Sequence, residues 1–408
     1  MRKLLLATSA LLGASVGIAG VANAGTLTPN APNPAPGSIT VTLNALVEAF
    51  AFAGSDSGTN AIPGQKTATY GIATYSRLYP SFDGVLANGL KYGGSMEIRH
   101  DNGAATGANS NFYIQREFIY IGADKFGKVY VGAQVQPSEL FQSGNPANFN
   151  TGGWDGDLPG VFAKGLPYFI DDDNDQANKI VYVSPQFSGF DFGLSFEPNN
   201  YGNEYGKPLT RATSVDPALS TGQYGKRVNT VDGAARYQGT FGPVGVKADI
   251  AGSYGGSVTS TNDLFGNYQN YSLVGGGVGV TFSGVELDGH IDTGKYGQDL
   301  VPLAPGQSGT TAWIVGGSYT FGPVIVGASY YGFDSGITRS EDTAAGLLHG
   351  YGIAAGGTYT LAPGASVFLE YLYGHQKAND HNLLGGTDPT EHNTAQAQAF
   401  GLGTAFKW

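Results

Sequence analysis

The chain has 408 residues, with 21 Lys+Arg against 32 Asp+Glu, a net charge of −11, 65 Gly and no Cys. Charged residues make up 13% and aromatics 12%, where a soluble domain holds about 25% charged residues and a disordered one has few aromatics. An acidic chain with scattered bases is not a nucleic-acid binder. Without Cys there is no disulfide scaffold, thiolate metal centre or catalytic thiol.

Arg2 and Lys3 precede an apolar run from Leu4 to Ile18, followed by Ala22-Asn23-Ala24. These are the basic region, apolar core and small-residue cleavage site of a secretory signal peptide, predicted over 1–24. A transmembrane anchor fits less well, because the run is short and Gly-broken. Residues 25–38 hold Pro29, Pro32, Pro34 and Pro36 and read as an extended lead-in. No later stretch approaches the ~18 continuous apolar residues of a membrane helix.

From Ile39 onward the dominant period is two. Leu90, Tyr92, Met96 and Ile98 alternate with Lys91, Ser95, Glu97 and Arg99. Further on, Asp232, Arg236 and Gln238 share one face, and Lys247 and Asp249 another. In 285–292 the even positions are Glu286, Asp288, His290 and Asp292. Successive strand side chains point to opposite faces, so each strand has one oily and one wet side. A soluble sandwich and a membrane barrel both fit this alternation.

Three features favour the barrel. Tight turns at Phe241-Gly242-Pro243-Val244, Phe282-Ser283-Gly284-Val285, Phe321-Gly322-Pro323-Val324 and Leu361-Ala362-Pro363-Gly364 recur 41, 39 and 40 residues apart. The opposite connections are long and polar, near 254–270, 295–310, 334–350 and 378–393. Tyr237, Phe241, Tyr319, Phe321, Tyr330, Tyr331, Tyr371 and Tyr373 cluster toward the turns, as an interfacial girdle would. A propeller also has a period near ~40, but with four strands per blade; here each period holds two.

Strands are predicted at 39–53, 68–79, 89–100, 111–122, 128–136, 179–185, 189–197, 230–241, 244–254, 271–282, 284–294, 311–321, 323–333, 351–361, 365–376 and 394–408. These make a 16-stranded antiparallel transmembrane β-barrel over 39–408, an even number as bacterial barrels have, with a lumen wide enough for water.

Several segments resemble the general porins of Gram-negative outer membranes. Ser38 to Ala49 is similar to the first strand of that family, Phe126-Gly127-Lys128-Val129-Tyr130-Val131-Gly132 to its turn into strand five, and Asn178 to Phe190 to strands six and seven. Phe400, Leu402, Thr404, Phe406 and Trp408 alternate outward at the C-terminus. Family members end in an aromatic, usually Phe, read by the barrel-assembly machinery; Trp408 keeps the ring.

The resemblance implies a homotrimer in outer-membrane lipid and lipopolysaccharide. It also implies a third external loop, here 137–177, folded inward to narrow the lumen. Loop acids, here Glu139, Asp155 and Asp157, would face wall arginines Arg77, Arg99 and Arg116. Arg116 and Glu117 are adjacent, so only one points inward unless a bulge intervenes. Tyr130, Ala133 and Gln134 stand where the family commonly has strand-five arginines.

The alternation assigns Lys91, Glu97, Asp232, Arg236, Lys247, Asp249, Glu286, Asp288, Asp292 and Glu370 to the lumen. Acid-rich walls favour cations, so the expected function is a weakly cation-preferring, water-filled pore for small hydrophilic solutes. The alternatives are a sugar- or organic-acid-selective channel and a plugged structural or adhesive barrel. No serine, histidine and acid group together on one strand as a barrel hydrolase would need, so no catalytic residue is assigned. Asp171-Asp172-Asp173-Asn174-Asp175 is a candidate Ca²⁺ site through Asp171, Asp172, Asp173 and Asp175, but it lacks the Gly and Glu of an EF-hand loop. A solvated acidic loop is the plainer reading, and no other cofactor is expected.

Overall fold

The computed structural model describes residues 35–57, 69–101, 111–149, 177–199, 227–257, 268–297, 303, 305–337, 346–379, 383 and 393–408. The expected signal peptide and most of the lead-in lie outside these residues, as do Asp155, Asp157 and the Asp171 to Asp175 cluster.

Sixteen antiparallel strands form one closed ring. They are β1 (Ile39–Asp56), β2 (Tyr70–Val85), β3 (Lys91–Asp101), β4 (Asn111–Ala123), β5 (Gly127–Ala133), β6 (Asn178–Val183), β7 (Phe190–Asn199) and β8 (Arg227–Phe241). There follow β9 (Val244–Ser257), β10 (Tyr271–Phe282), β11 (Val285–Lys295), β12 (Thr310–Phe321), β13 (Val324–Ile337), β14 (Gly346–Ala362), β15 (Ala365–Ala378) and β16 (Thr394–Lys407). Each strand pairs with its sequence neighbours, and β1 pairs with β16 from Leu46↔Lys407 to Asp56↔Ala397. Beyond the ladder, Ala45 and Trp408 exchange both backbone hydrogen bonds, at 2.9 and 3.1 Å. Closure leaves no edge strand among the described residues, since every strand is paired on both sides along its length or part of it, as lipid requires.

The turns follow from their residues. At Ser283-Gly284 both φ angles are positive, +48° and +85°, the mirror-image turn whose twist matches a two-residue hairpin. At the loop end the strands run farther than the sequence pattern implied. β9 reaches Ser257 and β13 reaches Ile337, so the barrel wall continues into the polar connections.

Along β1, Ile39, Val41, Leu43 and Val47 are exposed on the outer face, while Leu46, Glu48 and Phe50 are buried on the inner one. The outer face is apolar on other strands too: Ile72, Ile119, Ile250, Leu287 and Leu402 are all exposed. Aromatics form two outer bands. One, by the turns, contains Phe190, Tyr237 and Phe241, with ring centroids 4.8 and 6.1 Å apart, and the Tyr319–Phe321 stack at 5.6 Å. The other contains Trp313, Tyr330, Tyr351, Tyr373 and His375 in a chain of contacts at 5.0–6.4 Å. Tyr330 and Tyr373 therefore belong to a band away from the turns. Tyr330 lies six residues past Val324, or about 20 Å of strand.

The inner face is not uniformly wet. From β12 round to β2 it carries a buried apolar cluster that includes Leu46, Phe50, Ile314, Tyr331, Phe333, Phe368 and Leu372. Tyr331, expected in the girdle, is fully buried there and stacks on Phe333. In β15 both faces are largely apolar, with Val367 and Leu369 on the outer one and Phe368 and Leu372 beside Glu370 and Gln376 on the inner one. Only those two polar residues mark which face is concave.

Candidate functional site: the inner wall and the loop laid on it

After β5 the chain does not return directly to β6. Pro137 opens a single helical turn, α1 (Pro137–Leu140), and residues 137–149 then run along the inner faces of seven strands, β7 to β13. The Ser138 N–H donates to Asp232 Oδ1 of β8 at 2.9 Å. The Ser143 N–H donates to Asp249 Oδ1 of β9 at 2.8 Å, and the same oxygen accepts the Gly277 N–H of β10 at 3.1 Å. The Ser143 carbonyl lies 2.8 Å from His290 Nδ1 of β11, whose Nε2 lies 3.1 Å from Asp292 Oδ1. Asn148 donates to Glu286 of β11 and, at 2.7 Å, to Ser318 Oγ of β12. Phe149 is fully buried over Gly327 of β13. Residues 150–176 lie outside the described residues.

The wall under this segment is made flat by glycine. Gly275, Gly277 and Gly279 share the inner face of β10. A Cβ on Gly277 would stand 2.0 Å from the Ser143 oxygen and 2.4 Å from His290 Nδ1. Gly144, at φ +76°, would place its own Cβ 2.1 Å from the Gly289 oxygen. The two backbones thus approach as closely as glycine allows.

On β2 to β4, three guanidiniums converge on Glu97. Arg99 Nε is 2.6 Å from its carboxylate, Arg116 Nε 2.8 Å and Arg77 3.4 Å. Arg77 also hydrogen-bonds the Tyr75 hydroxyl and lies 4.8 Å from that ring. A register shift between Glu97 and Ile98 inserts Gln115 opposite one position. Gln115 and Arg116 are consequently both buried on the inner side, as a bulge permits. Glu139 sits in α1, against β7 to β9 rather than on the arginine wall.

The remaining inner positions fall as follows. Arg236 makes a two-pronged contact with Asp191 at 2.6 and 3.1 Å. Lys91 reaches Asp124 at 2.7 Å, at the turn end. Lys247, Gly279 and Asp288 are in register across β9, β10 and β11. Glu370 is fully buried in the apolar sector. Sequence reading missed a second charged cluster, in which Glu197 lies 3.4 Å from Lys179 and 3.8 Å from Arg227. The Arg227 guanidinium lies 4.0 Å from the Tyr271 ring centre. Phe190-Asp191-Phe192-Gly193-Leu194-Ser195-Phe196-Glu197 alternates cleanly and could have disclosed Glu197. Arg227 stood before the expected strand start, so no pattern marked it.

In a ring of sixteen, β3 and β11 are eight strands apart and face each other across the barrel. Glu97 with its arginines and the acids Glu286, Asp288 and Asp292 thus lie in opposite sectors of the ring.

A sequence model of Gram-negative porins matches residues 7–379. The chain belongs to this family. An anion-selective porin from Comamonas acidovorans shares the fold at TM-score 0.57 and 19% identity, over 91% of this porin and 100% of that chain. The outer-membrane channel DcaP of Acinetobacter baumannii matches at TM-score 0.55 and 15% identity, over 91% and 97% of the two chains. The Vibrio cholerae outer-membrane protein OmpT, in a trimer form, matches at TM-score 0.54 and 15% identity, over 91% and 100%. No curated protein matches. The family and the closed ring make this porin an outer-membrane channel protein rather than an enzyme by fold.

Proposed function

We propose that this porin is a passive, water-filled diffusion channel for small hydrophilic solutes and ions. The observation that carries the reading is the pair of opposed charged walls. Arginines gather on β2 to β4, and acids line β11 eight strands away. Fixed charges facing each other across a low-dielectric ring set up a transverse field. Such a field orients dipolar solutes and disfavours apolar ones. Solutes cross down their gradients, and no energy coupling is required.

The inward segment 137–149 narrows the ring from the β7 to β13 side. The net charge of −11 and the inner acids Asp249, Glu286, Asp288 and Asp292 favour cations weakly. The working form is a homotrimer in outer-membrane lipid and lipopolysaccharide, delivered by cleavage of 1–24 and by the barrel-assembly machinery. The trimer form of OmpT, a neighbour in fold, supports the trimer.

The test is planar-bilayer recording of purified protein under a salt gradient. Ohmic steps in groups of three, with a cation-side reversal potential, are expected. An anion-side potential overturns the preference, and absence of conductance from folded barrels overturns the channel.

A second reading, an organic-acid channel, draws on the three guanidiniums around Glu97. It predicts concentration-dependent block of the ion current by a small carboxylate. A non-specific pore shows no such block.

A further inference from the structure

We propose that His290 is a protonation-dependent positioning residue: as the imidazolium it pins the inner loop to the barrel wall, and as the neutral ring it releases one end of that clamp. The proposal rests on the channel reading for its electrical consequence, but not for its chemistry.

The geometry sets the proton count. His290 Nδ1 lies 2.8 Å from the Ser143 carbonyl oxygen, and a carbonyl only accepts. Nδ1 must therefore carry a hydrogen. Nε2 lies 3.1 Å from Asp292 Oδ1, and a carboxylate only accepts. Nε2 must carry one too. A neutral imidazole has a single N–H, so beside an ionised Asp292 both contacts exist together only in the cation. Without the second proton, the remaining hydrogen stays on Nε2, because the charged Asp292 carboxylate is a stronger acceptor than a carbonyl. The Nδ1 lone pair then faces the Ser143 oxygen, a repulsive contact.

The charged surroundings suit a cation. Asp292 and Asp288 share the inner face of β11 with the ring. From β9, Asp249 Oδ1 lies 3.9 Å from Nδ1, and Lys247 lies one inward position farther along. β10 presents Gly275 and Gly277, and β12 presents Ile314 in register with His290. The nearest ionisable group on the described loop segment is Glu139, four residues before Ser143.

Ser143 is thus held at both ends of one residue by opposite charges. Its N–H is on the Asp249 carboxylate and its C=O is on the imidazolium. The next residue, Gly144, already touches the β10–β11 backbone. The segment has no slack to re-form its contacts elsewhere on the wall. Releasing the carbonyl therefore lifts the segment toward the lumen.

The experiment compares wild type with His290→Gln in planar bilayers between about pH 5 and 9, a range that brackets histidine titration. Folding of each is checked by heat-modified gel migration. Gln keeps a donor for the Ser143 oxygen but does not titrate. Wild type is expected to show a one-proton step in open-channel noise and mean conductance, with the clamped population falling up to about tenfold per pH unit above the step. His290→Gln is expected to lack that step. The same step in both proteins, or none in wild type, overturns the proposal.

Nitrogen NMR of histidine-labelled protein gives a second readout that needs no current. The signals lost in His290→Gln identify the ring, and they should report two N–H groups on the acid side of the step. A single N–H throughout overturns the clamp, even for a barrel that conducts nothing. The conductance comparison applies to a wild type that conducts; a wild type silent at every pH but with a doubly protonated ring on the acid side sinks the channel reading alone.

Discussion

Gly277→Ala is the sharpest perturbation of the loop seat. The added methyl would stand 2.0 Å from the Ser143 oxygen, where ordinary contact begins at 3.4 Å. The obstructing atom is backbone, so no side chain can swing away. Ser143 must retreat by about 1.4 Å, which carries its oxygen out of hydrogen-bond range of His290 and strains its N–H bond to Asp249. Hydrogen bonds to charged groups contribute ~1.5–3 kcal/mol each, so losing the first and about half of the second costs about 3 kcal/mol of docking. At tenfold per ~1.4 kcal/mol the seated population falls at least ~100-fold. Single-channel recording should show increased open-channel noise and altered mean conductance. The control is Gly252→Ala, whose added Cβ would have its nearest neighbour at 3.7 Å and is expected to be silent. A Gly277→Ala channel with wild-type conductance and noise would refute the claim that this segment rests on β10.

Other expectations follow from the same wall. Glu97→Gln removes the carboxylate shared by three guanidiniums; breaking a buried charge cluster costs ~3–5 kcal/mol, so heat-modified migration should shift to lower temperature and the reversal potential should move toward anions. Phe368→Ala, in the buried apolar sector, should cost ~3–5 kcal/mol through the cavity left behind, lowering heat stability with selectivity unchanged. Trp408→Phe should assemble normally in cells, whereas Trp408→Ala should lower the yield of membrane-assembled barrel and leave refolding in detergent intact, because the closing bonds to Ala45 come from backbone.

The parts of this architecture legible in the sequence are those that local patterns encode. Tight turns announced themselves through Gly242, Ser283-Gly284 and Gly322, and each anchored two strands whose bounds were then counted outward. The wet faces of β8, β9 and β11 were legible because Asp, Arg, Lys and Glu interrupt small or branched apolar residues at every second position. The same rule was weaker in β13 and β15, where Tyr331, Phe333, Phe368 and Leu372 occupy the concave side and, in β15, Glu370 alone among charged residues marks it. Alternation separates two faces without naming the inner one, and there both faces are largely oily. The loop seat was beyond reach for another reason. Its bonds join residues 94 to 170 positions apart, and Ser138, Ser143 and Asn148 look like any loop polar residues until the ring brings β8 to β12 beneath them. Arg116 needed a register shift that nothing in 111–122 signals.

The hydrogen bonds that join Ala45 to Trp408 have a consequence for biogenesis. The seam between β1 and β16 is the only pairing between strands far apart in sequence. Every other pair can zip up as soon as two neighbours have emerged. A product truncated before β16 therefore carries two raw edges at once, on β1 and β15, however well its interior hairpins have formed. Synthesis of β16 and closure of the wall thus become one event, and until it happens two open strands stay available to anything that binds an unpaired edge.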